Sequence, residues 1–314
     1  MIRAGNCYYT TRVRTPSRRD LLKGLLTAAA AATAGAGAYG FVYERHRIQL
    51  TTAPFPIPNL PPALRGLRVG LLTDIHHGAF VPADDIETAS RLLLAAEPDL
   101  IVLGGDFVTW RDRRRIGPCV EVLSQLNAPH GVFAVLGNHD DEIATPPALH
   151  ARGVEVLRDE RTRILVRNQP LELVGIRYWT RQLREIRPIL KGARGPVLLL
   201  AHDPRRLIEA AALKIPAVLS GHTHGGQVVL PLVGAVAARR FPVVAGFGRL
   251  GDTAVFVSRG IGTVLLPLRV NCPPEVAVLT LEPTQALGSG LSALGPVTAL
   301  GPESRPRAET SPRA

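Results

Sequence analysis

Five short clusters of Asp, Asn and His punctuate the 314-residue chain. They are Asp74-Ile75-His76, Gly105-Asp106, Gly137-Asn138-His139-Asp140, His202-Asp203 and Gly221-His222-Thr223-His224. Carboxylate, carboxamide and imidazole groups are ligands for divalent ions, and a thiolate-free N/O set suits Mn, Fe or Zn rather than a structural zinc cage. Two such ions about 3.5–4 Å apart can clamp the attacking and leaving oxygens of an in-line displacement, the chemistry that cleaves phosphate esters. One carboxylate must hold both ions and offset their repulsion; Asp106, central in chain order, is the natural bridge. Neutral imidazoles and an amide complete the shells without excess negative charge, so the ions stay strong Lewis acids. Water bridging them would ionise near neutral pH.

Apolar runs must position these groups. Residues 67–73 lead into Asp74 and His76, 99–105 into Asp106, and 131–137 into Asn138, His139 and Asp140. Residues 197–201 lead into His202 and Asp203, and 216–221 into His222 and His224. Each run reads as a strand buried on both faces, and sites in such sheets form beyond strand C-terminal ends. Between the runs, residues 82–96 place Ile86, Ala89, Leu92, Leu93 and Ala96 on one helical face. Thr145-Pro146-Pro147 opens a second helix, which Gly153 closes. After His224 the pattern turns to strands, at 253–257 and 276–281. The expected fold is α/β: a four-layer α-β-β-α sandwich of two mixed sheets flanked by helices, with a dinuclear site at strand ends.

The order D-x-H, G-D, G-N-H-D, lone His, G-H-x-H resembles the calcineurin-like metallophosphoesterase superfamily. The resemblance runs from Asp74 to His224 and on through Asn271-Cys272-Pro273-Pro274-Glu275 to about Glu282. An early twin-arginine segment and the Gly-His-Thr-His-Gly-Gly-Gln run are similar to its exported or membrane-associated bacterial phosphodiesterase branch. By that resemblance Asp74, His76, Asp106 and His224 hold one metal, and Asp106, Asn138, His202 and His222 the other. His139 is then the general acid toward the leaving oxygen, oriented by Asp140. One departure is Thr109, where many relatives carry a second Asp three residues after the bridging one.

Weaker signals carry plainer readings. His77 suits a solvated loop, and His130 and His150 the surface. Asp203 before Pro204 suits a helix N-cap. Arg269 could meet a substrate phosphate through its guanidinium fork or form a structural salt bridge. Trp110 and Trp179 suit packing.

The formal charge of +11 is concentrated at the start: residues 1–47 hold eight Arg or Lys against two acids, a net +6. With the rest only mildly basic, and no interleaved basic and aromatic motif, a nucleic-acid partner is not indicated. Ser17-Arg18-Arg19-Asp20-Leu21-Leu22-Lys23 resembles a twin-arginine export signal, followed by an Ala/Gly-rich apolar stretch to about Val42. Ala34, Ala36 and Ala38 offer signal-peptidase sites, while the stretch is nearly long enough for an anchor. Cys7, Cys119 and Cys272 show no metal spacing. The organisation expected is a leader over 1–47, a catalytic domain over 48–282, and a low-complexity tail over 283–314 that does not fold.

The leading function is two-metal hydrolysis of phosphomonoesters or phosphodiesters at the cell envelope. The expected partners are a phosphoester substrate, free or lipid-linked, and the twin-arginine translocation machinery, with the protein itself a monomer. The runner-up is a pyrophosphatase on a nucleotide-linked lipid such as UDP-diacylglucosamine, which an export signal disfavours because that substrate is cytosolic. A non-catalytic scaffold is the third reading; His139 argues against it.

Overall fold

The computed structural model describes residues 17–284 and 291–293. One mixed sheet has the order β1 (Gln49–Pro58), β14 (Glu275–Thr284), β2 (Arg68–Leu72), β3 (Leu100–Leu103), β4 (Val132–Ala134), β5 (Val154–Val156). The other has the order β15 (Leu291–Ala293), β12 (Gly246–Leu250), β13 (Thr253–Val257), β9 (Ala217–Ser220), β8 (Val197–Leu200), β7 (Gln169–Gly175), β6 (Glu160–Val166). A small hairpin of β10 (Val229–Leu230) and β11 (Gly234–Ala235) stands apart from both.

Strand periodicity builds the layers. Side chains alternate between faces, so one residue of each pair looks into the space between the sheets. Leu71, Leu100, Val102 and Phe133 of the first sheet meet Leu173, Leu198, Leu219 and Phe256 of the second there. The intervening Leu72, Ile101, Leu103 and Val132 pack outward on α2 (Ala83–Ala95), α3 (Arg113–Leu123) and α4 (Thr145–His150). On the far side Val174, Leu199, Val218 and Val255 pack against α5 (Leu183–Ile186) and α6 (Leu207–Ala212). Each buried aliphatic side chain contributes about 1.5–3 kcal/mol. The result is the expected four-layer sandwich. α2 keeps its amphipathic stripe, burying Ile86, Ala89 and Leu93.

Both ends of the folded body differ from expectation. β14 runs to Thr284, and β15, inside the segment expected not to fold, pairs antiparallel with β12. At the start, α1 (Arg18–Val42) is capped by a reciprocal Ser17–Asp20 box and is almost wholly exposed until its last turn. There Gly40 packs directly on the Arg269 carbonyl, leaving no room for a Cβ. Glu44, nearly fully buried, accepts the Cys272 N–H at 2.6 Å. The last turn of α1 and Glu44 therefore pack on the folded body. The helical stretch Arg18–His46 is long and apolar enough to cross a membrane or to serve as a signal.

Candidate metal centre

The five expected clusters converge where the two sheets meet. β2, β3 and β4 deliver Asp74, Asp106 and Asn138 from one sheet; β8 and β9 deliver His202 and His222 from the other. Two triads have ligand atoms within 4.8 Å of one another: Asp74, His76 and His224, and Asp106, His202 and His222. Asp106 lies between them, its Oδ2 3.4 Å from His76 Nε2 and 3.1 Å from His202 Nε2. His76 Nε2 and His224 Nε2 face each other at 3.2 Å, and His224 Nε2 is 3.4 Å from Asp74 Oδ1.

Backbone conformation aims these groups. Asp74, His76, Asp106, His222 and His224 all have φ between 50° and 71°, the left-handed region that non-glycine residues rarely adopt. Such strain costs on the order of 1–3 kcal/mol per residue and clusters at functional sites. Gly137 and Gly221 must be glycine because a Cβ would strike the carboxylates of Asp106 and Asp74 respectively.

Ring nitrogens remote from the centre are held by the protein. His202 Nδ1 bonds to the Gly104 carbonyl at 2.8 Å and His224 Nδ1 to the Gly262 carbonyl at 3.3 Å. A carbonyl only accepts, so the neutral rings carry hydrogen on Nδ1 and turn bare Nε2 lone pairs toward carboxylates. Such a lone pair faces a carboxylate stably only when a cation, either a proton or a metal ion, lies between. The Asn138 Oδ1 is buried and without a hydrogen-bond partner. Both observations fit a pair of divalent ions.

Without cations the groups distort one another's titration. Burial alone would raise the Asp106 carboxyl, but the His202 and His76 imidazoles hold it well below the usual range. Burial keeps Asp74 raised. His202 is pushed up to about 10: burial opposes this, and Asp106 and Asp74 outweigh it. Burial and the neighbouring His202 bring His222 down to about 3.

Asp140 does not orient His139. Its Oδ2 accepts from Asp106 N at 2.7 Å and Gly137 N at 2.9 Å, and its Oδ1 from Phe107 N at 2.8 Å. The residue after His139 points away because three backbone amides claim its carboxylate. His139 is instead held by the Trp110 N–H, 3.2 Å from Nδ1, and by its own N–H to Asp106 Oδ1 at 2.8 Å. The amide occupies Nδ1 as an acceptor, which assigns the proton of the neutral ring to Nε2. Thr109 bonds to His76 Nδ1 at 3.1 Å.

Arg269 is turned inward onto backbone carbonyls and has no carboxylate partner among the described residues. Its guanidinium is fully buried and donates to the carbonyls of Arg259, Gly260, Gly262 and Cys272 at 2.6–3.1 Å. It fastens the loop that supplies the Gly262 carbonyl to His224. His77 is buried rather than solvated, its Nδ1 3.0 Å from the Val81 carbonyl. Asp203 caps the short 3-10 turn Pro204–Arg206. His130 is half-buried and His150 exposed. Trp110 and Trp179 are exposed rather than packed inside, Trp110 with its ring 4.5 Å from that of His139. Tyr178, which sequence reasoning missed, stands 5.4 Å from the His222 ring with Arg181 over its face. The Tyr178-Trp179 pair just beyond β7 was the available signal. A cavity of about 640 Å³ opens beside His76, walled by Phe80, Trp110, Arg115, Leu265 and Leu266.

A calcineurin-like phosphoesterase family model matches residues 67–226. The chain is 34% identical over 288 residues to phosphodiesterase YaeI of Escherichia coli, covering 84% of this chain and 99% of that one. It is 30% identical over 288 residues to the uncharacterized metallophosphoesterase YkuE of Bacillus subtilis, covering 85% and 98%. It is also 31% identical over 285 residues to a transmembrane protein with a metallophosphoesterase domain from Danio rerio, covering 84% of this chain and 63% of that protein. The chain belongs to the calcineurin-like phosphoesterase family, and is a metal-dependent hydrolase of phosphoric esters. Its two triads fit a dinuclear centre.

Proposed function

We propose that the protein is a phosphodiesterase working outside the cytoplasm, exported by the twin-arginine route. Asp74, His76, Asp106 and His224 are the ligands assigned to one ion, and Asp106, Asn138, His202 and His222 to the other. Ions of this kind polarise a phosphoryl oxygen and lower the pKa of water. The reading is carried by the position of Asp106 between two triads whose bare Nε2 atoms converge. Within it, His139 offers Nε2–H to the leaving oxygen, and the Trp110 amide holds the ring in that tautomer. Arg181, stacked over Tyr178 and Trp179 at 5.2 and 5.0 Å, stands near the site with free donors for a phosphate. A diester substrate is supported by the E. coli relative, which is named a phosphodiesterase. Export is supported by Arg18-Arg19 ahead of the apolar stretch.

The test is a hydrolysis screen of the purified full chain reconstituted with Mn, Fe or Zn. It pairs phosphomonoesters and phosphodiesters with nucleoside-diphosphate lipids. Faster turnover of diesters supports the reading; turnover confined to the diphosphate bond replaces it with the pyrophosphatase.

A further inference from the structure

The root of α1 is set into the rim of the site, and the surface around it is apolar. Three loops meet there. The first carries Phe80, half-exposed at 53%, whose carbonyl accepts Arg45 Nη1 at 2.8 Å just past the helix end. The second carries Leu265 and Leu266, 83% and 63% exposed, and continues into Leu268 and Arg269, on which Gly40 rests. The third is the β10–β11 hairpin, tied to the second where Val229 N–H bonds to the Val270 carbonyl at 2.9 Å. Its tip presents Leu232, fully exposed, with Val233 and Val236 also outside.

Leucine and valine at loop tips serve no packing purpose in water, and exposed apolar residues gathered on linked loops mark an interaction surface. Its position argues for the occupant. α1 is apolar, almost wholly exposed and long enough to enter a bilayer. Two of these loops touch the end of that helix and the third is tied to the second, so a membrane holding the helix lies close to the collar. Arg239 is exposed and folds back on the hairpin, donating to the Ala235 and Val233 carbonyls, with Arg240 exposed beside it and Arg115 exposed at the cavity wall. Apolar tips with a basic fringe match the interface of an anionic bilayer.

The collar is also joined to the chemistry. The hairpin segment leaves directly from His224 and returns at Phe241, whose ring lies 5.2 Å from that of His222. Phe80, Leu265 and Leu266 are at once collar residues and walls of the cavity beside His76. We propose that the collar docks into the surface of an anionic lipid bilayer, and that the substrate is a phosphoester in a lipid headgroup, entering the cavity while its acyl chains stay in the membrane. This rests on the phosphoester-hydrolase reading above.

Two experiments on the full-length, metal-loaded protein in phosphatidylcholine–phosphatidylglycerol vesicles test it. In the first, Leu232→Trp is added to Trp110→Phe and Trp179→Phe, giving one reporter at the hairpin tip. Bromine on the acyl chains should quench its emission about twofold or more, and unquenched emission overturns docking. Unquenched emission with a concentration-dependent dimer in detergent assigns the collar to a second copy instead. In the second, Leu232→Asp/Val233→Asp is compared with wild type on bis(4-nitrophenyl) phosphate in solution and on diacylglycerophospho-4-nitrophenol in vesicles. The variant should keep its soluble activity within about twofold and lose about tenfold or more on the lipid, since each lost apolar insertion is worth about a factor of ten. Equal lipid activity in the two proteins overturns the proposal. Wild type that cleaves the soluble ester but not the lipid defeats the substrate class alone, whereas wild type inert on both defeats the hydrolase reading beneath it.

Discussion

The Asp140 carboxylate is bonded to the backbone N–H of Asp106 at 2.7 Å, thirty-four residues away and on the neighbouring strand end. Through this bond and those to Phe107 and Gly137, Asp140 fixes the loop that carries the shared carboxylate. Burial and the Asp106 charge raise the Asp140 carboxyl to about 6, against the Gly137 and Phe107 amides, which favour its charged form.

Asp140→Asn replaces one accepting oxygen by a donor that faces N–H groups. Groups that orient metal ligands are typically worth 10–100-fold in metal affinity. Titration calorimetry with Mn should show a loss in that range while both ions still bind at saturation. Unchanged affinity would show that the loop keeps its shape without the carboxylate.

Asp106→Ala removes a member of one triad and, in the proposed assignment, the ligand shared by both ions. Elemental analysis after loading and desalting should fall from near two ions per chain to below one. His202→Ala should leave the Asp74, His76 and His224 triad able to retain an ion. If the two variants lose metal equally, Asp106 is not shared.

His139→Ala tests how the ring acts. A neutral imidazole with Nε2–H serves as a hydrogen-bond donor, and such donors are worth about 10²–10³ in kcat. The loss should be nearly the same for nitrophenyl and alkyl leaving groups, with both ions retained. A loss that grows steeply as the leaving group worsens would identify full proton transfer, the behaviour of a general acid.

Glu172 is a buried carboxylate bridging Arg161 and Arg163 on the face of the second sheet, and it also accepts the Arg194 N–H at 3.0 Å. Burial by itself raises its pKa, but the Arg194 amide and the two guanidiniums outweigh burial and hold it below the ordinary value of 4.5. A depressed folded-state value contributes stability that is complete above 4.5 and is lost as pH falls through the folded value. Glu172→Gln should cost about 2 kcal/mol at pH 7, because Arg163 reaches solvent and recovers part of its hydration. Urea midpoints of wild type and variant should converge as pH drops from 6 toward 3. A gap that stays constant would rule out this charge as its source.

Replacing Arg18 and Arg19 together by lysine should leave the precursor in the cytosol of a twin-arginine-competent host. Fractionation with a soluble marker checks this. Undiminished export would place the protein on another route.

Five clusters were legible because each ends a run of apolar residues, and a strand buried on both faces has few other sequence disguises. α2 was legible through the stripe Ile86, Ala89, Leu93. Side-chain direction after a strand end was not. Asp140 follows His139 in every reading of the string, yet the left-handed turn at Asp106 draws three amides toward Asp140 and leaves His139 to the Trp110 amide. Arg269 escaped for a related reason: its partners are backbone carbonyls, which every residue carries and no motif can display. His77 was misread because a loop position says nothing of the cover that Val81 provides. The insertion of β14 between β1 and β2 joins residues more than two hundred positions apart, beyond the reach of any local pattern.

That insertion also sets a schedule for biosynthesis. β1 and β2 do not pair with each other; each pairs with β14. The slot between them stays open until residue 275 and those after it leave the ribosome. At 5–20 residues per second α1 is made roughly 10–50 s before that moment. For all of that interval the first sheet is still missing the strand between β1 and β2. On the proposed twin-arginine route, a translocase that takes only folded cargo would wait for β14 to fill that slot.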